Sequence, residues 1–338
     1  MAVHQSEPYG YLVDGEIEHC ERTFTVSDPA TNEPLATVAD PGADGIERAV
    51  GAAKDAQEEW ADLDAATRSS MLREIAAALR EEGDHIAAIE TAECGRPFGE
   101  SMAHPQVAAS YFDYYAGLTD KIEGETLPVP GERLNYSLRE PLGVLGMILP
   151  WNGPVMLGAR SLPVALACGN TVVMKPAAEA PTSLLELGRI ADEVLPDGVV
   201  NVVPGGGETG AALSGSPDVD RVMFTGSRET GTAVMQSAAE NIVPVGLELG
   251  GKNPSLVFPD ADLERVVDDM MNVYFNAGQV CFAPVRLFLH EDVYDEVLEE
   301  LVARTEAMTV GSGEENPDMG PLITREARDR VAEDVDET

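Results

Sequence analysis

Strand-like and helix-like segments alternate from Pro141 to about residue 250, and this alternation constrains the fold more than any other feature of the sequence. An apolar run at 142–149 lies between two prolines, which predicts a strand buried on both faces. Further strands are predicted at 171–174, 199–203, 221–225 and 243–249. The helices between successive strands are predicted at 154–167, 181–195, 208–214 and 229–240. Strands that alternate with helices predict an α/β fold, with an open parallel sheet covered by helices on both faces.

The segments on either side of this core are predicted from the same patterns. Residues 43–96 have helical periodicity, with Asp64 as an N-cap and Gly83 as a stop, and a further helix is predicted at 104–117. Residues 118–141 contain several Gly and Pro and alternate weakly, so they form either a long loop or a hairpin that acts as an oligomerisation arm. We expect a cofactor-binding domain over 1–250.

Beyond this boundary, residues 251–338 are expected to begin a second, catalytic α/β domain. Strands are predicted at 255–258 and 285–290, with a helix at 263–275 between them. The chain ends in a charged, helix-like run at 332–338.

The formal net charge of −38 limits the partners and the environment of the protein. Such a surface repels phosphates, so nucleic acid and anionic membranes are not expected as partners. At about 1 M ionic strength the Debye length is only about 3 Å, so surface carboxylates barely repel one another there. The lysines are few (Lys54, Lys121, Lys175 and Lys252), and the remaining cations are arginines. The composition therefore predicts adaptation to concentrated salt, as in a halophile.

Cysteine and histidine usage predicts a reducing, cytoplasmic setting and no metal. The four cysteines form no CxxC pair and no cluster with zinc-ligand spacing. The first ten residues lack a basic start and an apolar run, and no stretch approaches the roughly 20 apolar residues of a membrane helix. A signal peptide and a transmembrane segment are therefore not expected.

Two glycine-containing turns are candidates for phosphate binding, because each follows a predicted strand and opens a helix. Gly205, Gly207 and Gly210 match GxGxxG, although a tight turn alone can require such glycines. The second turn, at 224–231 (Phe-Thr-Gly-Ser-Arg-Glu-Thr-Gly), offers free N–H groups and the Ser227 hydroxyl. Ser227 can equally be a helix cap, but a cap alone does not require Gly226.

Three further side chains are candidates for chemistry. Glu248 ends an apolar strand before two glycines, where desolvation would raise its pKa toward that of a general base, or it forms an ion pair with Lys252. Cys281 lies in a Gly-containing loop and is either a nucleophile or an inert core thiol. Asn152, between two prolines, can donate to a developing oxyanion or cap the next helix.

Taken together, these segments resemble the aldehyde dehydrogenase superfamily. Five of its motifs occur in order between residues 150 and 284: Pro-Trp-Asn-x-Pro, Lys-Pro, Phe-Thr-Gly-Ser, Glu-Leu-Gly-Gly-Lys and Gly-Gln-x-Cys. The resemblance extends to the N-terminal helices and to Gly-Pro-Leu at 320–322. It implies a Rossmann-like cofactor domain, a hairpin oligomerisation arm and a homo-dimer or homo-tetramer.

The resemblance also implies a mechanism and a set of site residues. Cys281 attacks the aldehyde carbonyl to form a thiohemiacetal, whose oxyanion is held by the Asn152 side chain and the Cys281 N–H. Hydride transfer to the nicotinamide leaves a thioester, and Glu248 activates the water that hydrolyses it. The positions that match cofactor contacts are Trp151, Lys175, Gly226, Ser227, Gly231 and Leu249. The GxGxxG at Gly205 is then mainly a structural turn.

Two departures from the family pattern affect these expectations. The family often has an acidic residue three positions after the lysine, but this chain has Ala178 there and Glu179 one position later, so both NAD and NADP are considered, with NAD favoured. The chain also stops at Thr338, before the Glu-x-Phe-Gly-Pro segment and the C-terminal oligomerisation strand of the family. The expected activity is NAD(P)-dependent oxidation of a small aldehyde.

Three alternatives to this activity stay open. One is an inactive truncated fragment that retains the cofactor-binding fold. Another is a cofactor-independent thiol esterase that uses Cys281. The third is an acyl-CoA-forming enzyme, which Glu248 argues against because it favours water as the acceptor. No residue pattern identifies the aldehyde, although Phe282, next to the nucleophile, is expected to line the substrate tunnel.

Overall fold

The alternation of strands and helices is present in the computed structural model, which describes residues 7–337. The strands are β1 (Tyr11–Val13), β2 (Glu16–Glu18), β3 (Thr23–Ser27), β4 (Pro34–Ala39), β5 (Thr126–Leu127), β6 (Asn135–Tyr136), β7 (Val144–Ile148), β8 (Thr171–Lys175), β9 (Val200–Val202), β10 (Arg221–Gly226), β11 (Val245–Leu249), β12 (Pro254–Val257) and β13 (Arg286–Leu289). The α-helices are α1 (Gly42–Asp62), α2 (Ala65–Glu81), α3 (Gly83–Cys94), α4 (Phe98–Ser101), α5 (Ala103–Ala116), α6 (Pro154–Ala167), α7 (Thr182–Asp192), α8 (Gly207–Ser214), α9 (Arg228–Ala239), α10 (Leu263–Met271), α11 (Tyr294–Ala307) and α12 (Arg325–Asp336). Short 3₁₀ segments lie at Asn272–Gly278 and Gly313–Glu315.

The main sheet has seven strands in the order β11-β10-β7-β8-β9-β1-β2. The five strands from β7 to β11 are parallel, as the alternation predicts. The sheet also contains β1, antiparallel to β9, and β2, antiparallel to β1. The parallel-sheet expectation was thus correct for the core and incomplete at one edge, because the pairing of Leu12 with Val202 is a long-range contact without a local sequence signal.

The chain order places a topological switch point between β7 and β10. From the central β7 the chain builds β8 and β9 on one side, and then crosses to build β10 and β11 on the other. Ligands in open α/β sheets bind outside the carboxyl ends of the strands at such a point. The residues that follow β7 and β10 are therefore those that the fold itself favours for a binding site.

Helices cover both faces of the sheet, because successive strand residues point to opposite sides. Leu145 and Met147 of β7 belong to a core cluster shared with α2, α5, α6 and α7. Val144 and Ile148 belong to a second cluster with α1, α8 and α9. This three-layer arrangement explains why the strand at 142–149 is apolar throughout rather than alternating.

The two predicted boundaries of α2 agree with the structure. Asp64 is the N-cap of α2, since its Oδ1 accepts hydrogen bonds from the N–H groups of Ala66 (2.9 Å) and Thr67 (3.0 Å). The stop predicted at Gly83 is also present, because α2 ends at Glu81 with Glu82 as its C-cap, and Gly83 then begins α3. The helix predicted at 104–117 corresponds to α5.

Residues 118–141 contain the hairpin rather than a long loop. Thr126 of β5 pairs with Tyr136 of β6, and both strands are exposed. Leu134 and Leu138, at 76% and 70% exposure, leave apolar surface uncovered on this hairpin. Its role as an oligomerisation arm stays a prediction.

Residues 254–307 form a smaller α/β unit next to the main sheet. β12 and β13 pair in parallel, and Val257, Val267, Val293 and Val297 form its apolar cluster with α10 and α11. The predicted helix at 263–275 ends as an α-helix at Met271 and continues as the irregular 3₁₀ segment Asn272–Gly278. Within residues 7–337, no helix combines the length and the apolar character that crossing a membrane requires.

Candidate active site

Most of the residues singled out by the motifs lie where the parallel strands of the main sheet end. This carboxyl-end side of the sheet is called the site edge below. Ile148 at the end of β7 pairs with Lys175 on one side and with Phe224 on the other. Glu248 pairs with Thr225 on the neighbouring strands. The carboxyl ends of β7, β8, β10 and β11 are therefore level, which brings together side chains that are up to 100 residues apart in the sequence.

Asn152 follows β7 and points toward the loop that carries Cys281. Its Nδ2 donates to the backbone oxygen of Gln279 at 2.6 Å. It does not cap α6, because the N-cap of that helix is Gly153 and no side chain completes the cap. The capping alternative is thus excluded. An amide nitrogen carries two N–H groups, so one of them stays available for a substrate oxygen.

The loop that leads to Cys281 has an unusual backbone. Asn276, Ala277 and Gly278 have φ values of 48°, 53° and 75°, which places three consecutive residues in the left-handed region. Such a conformation is costly for Ala277 and persists only where its surroundings fix it. Glu100 provides one such contact, since its carboxylate accepts the N–H of Asn276 at 3.0 Å.

Cys281 itself is exposed, so the alternative of an inert core thiol is excluded. Asn253 fixes its backbone, because its Nδ2 donates to the oxygen of Cys281 at 2.7 Å and to that of Ala283 at 3.3 Å. Asn253 stands directly after Gly-Gly-Lys at 250–252, but the sequence motifs did not indicate a role for it. Phe282, 57% exposed, lies beside the thiol-bearing residue, with its ring centroid 6.2 Å from that of Phe275.

The environment of the Glu248 side chain differs from the expected one. Its side chain is 60% exposed and lies 3.7 Å from Nη1 of Arg160, so the expectation of a desolvated carboxylate was wrong. The pairing with Lys252 was also wrong, since Nζ of Lys252 approaches the backbone oxygen of Gly251 at 3.4 Å instead. The physical reason is that β11 is the edge strand of the sheet, which a run of apolar residues does not reveal. Arg160 also reaches Thr225 Oγ1 at 3.4 Å and was not identified from the sequence.

Lys175 is the most strongly perturbed cation at the site edge. It is 7% exposed, and desolvation lowers its pKa to about 8, against the weaker effect of the acidic Glu179 and Asp40. Between residues 7 and 337 its ammonium has no hydrogen bond and no ion-pair partner within 4 Å. An unpaired, nearly buried ammonium is costly unless a ligand supplies the missing acceptors.

Ser227 and Gly226 form the turn between β10 and α9. Ser227 Oγ accepts the N–H of Thr230 at 3.1 Å, so the hydroxyl is a helix cap, as the capping alternative predicts. The cap leaves other first-turn N–H groups of α9 free for an anion. A Cβ at Gly226 would lie 2.6 Å from the ring of Phe224, which gives this glycine a packing reason as well.

Gly231 and Leu249 lie next to this turn, and Trp151 follows β7. A Cβ at the buried Gly231 would lie 3.0 Å from Leu249 Cδ2, so the two residues pack against each other. Trp151 precedes Asn152, and its backbone oxygen accepts a hydrogen bond from Cys94 Sγ at 3.1 Å.

The GxGxxG turn lies between β9 and α8 and is explained by packing at Gly205. Gly205 has φ 150°, and a Cβ there would lie 2.8 Å from Asp40 Oδ1. Gly207 and Gly210 have open space around the position of a Cβ, so no close approach requires a glycine at either. Arg22 pairs with Asp40 at 3.0 Å and with Glu208 at 3.2 Å, which places a carboxylate at the start of α8. These contacts support the structural role of the turn.

Comparisons with known proteins agree with this arrangement. The model of the "Aldehyde dehydrogenase family" matches residues 17–338. Hydroxyisobutyraldehyde dehydrogenase from Mycolicibacterium austroafricanum is 41% identical over 318 residues, which cover 93% of this chain and 63% of that protein. DhaS from Bacillus subtilis (strain 168) is 40% identical over 316 residues, covering 91% of this chain and 64% of DhaS.

Solved structures have the same fold. The NAD⁺ complex of the aldehyde dehydrogenase from Bacillus cereus superposes with a TM-score of 0.95 at 37% identity, and covers 98% of this chain and 69% of that chain. The protein thus spans somewhat less than two thirds of the length of the two curated relatives.

Proposed function

Because the chain belongs to the aldehyde dehydrogenase family, we propose that it oxidises an aldehyde to a carboxylic acid, with NAD or NADP as the hydride acceptor. One observation carries the proposal: the Asn152 carboxamide lies against the loop of an exposed cysteine, 2.6 Å from a backbone oxygen two residues before Cys281. A thiol next to a fixed N–H donor is the arrangement that acyl chemistry requires, because charge develops on the substrate oxygen as sulfur attacks.

The first half of the reaction uses Cys281 and Asn152. The Cys281 thiolate attacks the aldehyde carbon, a C–S bond forms, and the carbonyl electron pair moves to oxygen. The free N–H of Asn152 and the backbone N–H of Cys281 stabilise that oxyanion. The tether of Asn253 to the oxygen of Cys281 supports this role, because it fixes the backbone around the nucleophile. When bound, the oxidised nicotinamide supplies the acceptor for the hydride that leaves the thiohemiacetal carbon.

The second half uses Glu248. Its carboxylate removes a proton from water, the resulting hydroxide adds to the thioester carbon, and the C–S bond breaks to give the acid and the thiolate. The exposure of Glu248 fits this step, since the base must reach water. Arg160, whose Nη1 lies 3.7 Å from the Glu248 carboxylate, helps to hold that side chain in place.

The residues at the site edge fit a dinucleotide. Lys175 offers an ammonium that is nearly buried and lacks a partner among the described residues, and a ribose hydroxyl would supply the missing acceptor. Ser227 and Gly226 present the start of α9 to a phosphate. The remaining contacts are assigned to Trp151, Gly231 and Leu249.

The preference between the two cofactors depends on the residues after Lys175. Ala178 stands where the family often has an acid, and the exposed Glu179 lies one position later. A carboxylate near the adenosine ribose disfavours a 2′-phosphate. We favour NAD, on the basis that Glu179 acts electrostatically on Lys175 and therefore lies near the same ribose site.

The proposal includes the organisation and setting of the protein. Residues 1–250 form the cofactor-binding domain, residues 251–338 belong to the catalytic domain, and the hairpin at 118–141 joins copies into a dimer or tetramer. The exposed apolar side chains of that hairpin support this last role. The free thiols of the four cysteines are consistent with the reducing cytoplasm.

Turnover tests the proposal. The protein is purified in molar KCl and assayed for reduction of NAD and of NADP with a panel of aldehydes, alongside Cys281→Ala. Cys20→Ala is the matched control, because Cys20 is a free thiol in the connection between β2 and β3. We expect Cys281→Ala to abolish turnover and Cys20→Ala to retain it.

Two other outcomes would replace the proposal. Ester hydrolysis by Cys281 without cofactor, and no aldehyde oxidation, would establish the thiol esterase. A folded protein that binds NAD and shows neither activity would establish a binding module.

A further inference from the structure

Arg96 lies fully buried directly behind Asn152. Its Nη2 donates a hydrogen bond to the backbone oxygen of Asn152. Its Nη1 lies 2.6 Å from Nε2 of His104, and its guanidinium carbon lies 5.8 Å from the ring centroid of Phe275. Phe275 immediately precedes the left-handed stretch that leads to the nucleophile. The Arg96 side chain therefore contacts both the Asn152 segment and the segment that leads to Cys281.

Glu90 holds this arginine from the other side. Its carboxylate is fully buried, contacts Nδ1 of His104 and lies 3.4 Å from Nη1 of Arg96. Desolvation raises the pKa of Glu90, but the pairing with His104 and the charge of Arg96 outweigh it, so the pKa lies below its ordinary value. An arginine N–H can only donate, so a ring nitrogen of His104 accepts from Arg96, and the ring also faces the Glu90 carboxylate through Nδ1.

The energetics argue against a role in stability alone. A buried ion pair loses hydration that its mutual attraction barely restores, and apolar residues often replace it without loss of stability. The guanidinium does, however, offer several donors in a fixed plane, which suits it to hold a carbonyl in one orientation. Because the Arg96 guanidinium donates to the backbone oxygen of Asn152, its placement indicates that it orients this residue.

We infer that Arg96 is a positioning residue that fixes the Asn152 carboxamide as the oxyanion donor, with Glu90 and His104 fixing Arg96. The inference rests on the proposed function. Asn152 is held at two atoms, its backbone oxygen by Arg96 and its Nδ2 by the oxygen of Gln279. The next residue is Gly153, which restricts the rotation of the intervening peptide least. Without Arg96, the backbone at Asn152 loses this anchor, and its free side-chain N–H can shift away from the substrate oxygen.

The test compares Arg96→Met, Arg96→Lys and Arg68→Met. Arg68 is the matched control, since its guanidinium also donates to backbone oxygens, those of Ala61 (3.1 Å) and Leu63, away from the site edge. Arg96→Met should lower kcat by about 10²-fold, the lower end of the loss of one oxyanion donor. The lysine variant retains the charge and should recover part of that loss. Arg68→Met should leave kcat unchanged.

A double-mutant cycle separates positioning from a general structural effect. If Arg96 acts through Asn152, adding Arg96→Met to Asn152→Ala should lower kcat by less than about twofold, within the usual error of additivity. A full 10²-fold further loss in the Asn152→Ala background would overturn the inference. If the methionine variant does not fold because Glu90 loses its partner, the same cycle with Arg96→Lys decides.

A second readout does not depend on turnover. Trp151 is adjacent to Asn152, and the other tryptophan, Trp60, is fully buried. Acrylamide quenching of the tryptophan emission should rise in Arg96→Met and not in Arg68→Met. If the wild-type protein shows no turnover, the proposed function fails, and this comparison alone decides the positioning role. Unchanged quenching in Arg96→Met would then overturn it.

Discussion

Replacement of Asn152 by alanine should remove one oxyanion donor and little else. Of the two N–H groups on Nδ2, one donates to Gln279 O at 2.6 Å, and the other has no acceptor within residues 7–337. Loss of the free donor should lower kcat by about 10²–10³-fold, equivalent to about 3–4 kcal/mol in the transition state. Loss of the bond to Gln279 should cost about 1 kcal/mol in the free energy of unfolding.

Asn152→Asp separates charge from packing at the same position. Aspartate has nearly the same shape, but an ionised carboxylate has no N–H and would face both Gln279 O and a developing oxyanion. We therefore expect kcat to fall further than in Asn152→Ala. Steady-state assays at saturating cofactor, with kcat and KM fitted separately, measure both effects.

Asn170 offers a matched control for these substitutions. Its carboxamide is buried, accepts from Leu142 N at 2.6 Å and donates to Ala165 O at 3.1 Å, before the amino end of β8. Asn170→Ala should lower stability and leave kcat intact. A higher kcat in Asn152→Asp than in Asn152→Ala, or a change confined to KM, would refute the oxyanion argument.

Three further predictions concern stability and cofactor binding. The buried ammonium of Lys175 destabilises the cofactor-free protein at pH values below its folded pKa of about 8. Lys175→Met should therefore raise the free energy of unfolding by up to about 3 kcal/mol and weaken NADH binding about tenfold. Urea titration measures the first effect and NADH fluorescence the second, and unchanged NADH binding would contradict the prediction. Burial raises the pKa of Glu93 from 4.5 to about 7, although Thr182 and Ser183 donate to it, so the folded state keeps a proton that the unfolded state has lost in this window. Stability should therefore fall by up to about 3 kcal/mol as the pH rises from 4.5 to 7, and Glu93→Gln should abolish this slope; parallel pH profiles for the two proteins would exclude it. The net charge of −38 predicts that the melting temperature rises between 0.1 and 2 M KCl, as the Debye length falls from about 10 Å to below about 3 Å, and a flat or falling trend would sink the halophile hypothesis.

Much of the fold could be predicted because its signals are local. The run at 142–149, the N-cap Asp64 and the helix at 154–167 are each encoded within about 20 residues. The pairing of β1 with β9 could not be predicted, because its contacts join residues 190 positions apart. The hairpin at 126–136 was left open for a related reason, since its short exposed strands have little apolar alternation.

Residues of the candidate site could be predicted where they belong to a motif that is local in the sequence. Asn152 and Cys281 carry motifs that place them on loops next to an apolar element. The exposure of Glu248 was not predictable, because it depends on which strand lies at the edge of the sheet. Arg96 and Arg160 were missed because each acts through a tertiary contact, and an isolated arginine has no sequence signature.

The most direct test of the central claim is the mass of the acyl-enzyme in the Glu248→Gln variant. Without its base, this variant should accumulate the thioester when incubated with an aldehyde and NAD. Peptide mass spectrometry should then locate, on the peptide that contains Cys281, an addition equal to the aldehyde mass minus two hydrogens. Samples without NAD should lack this addition. An acyl group on another residue, or turnover without any modification of Cys281, would contradict the account.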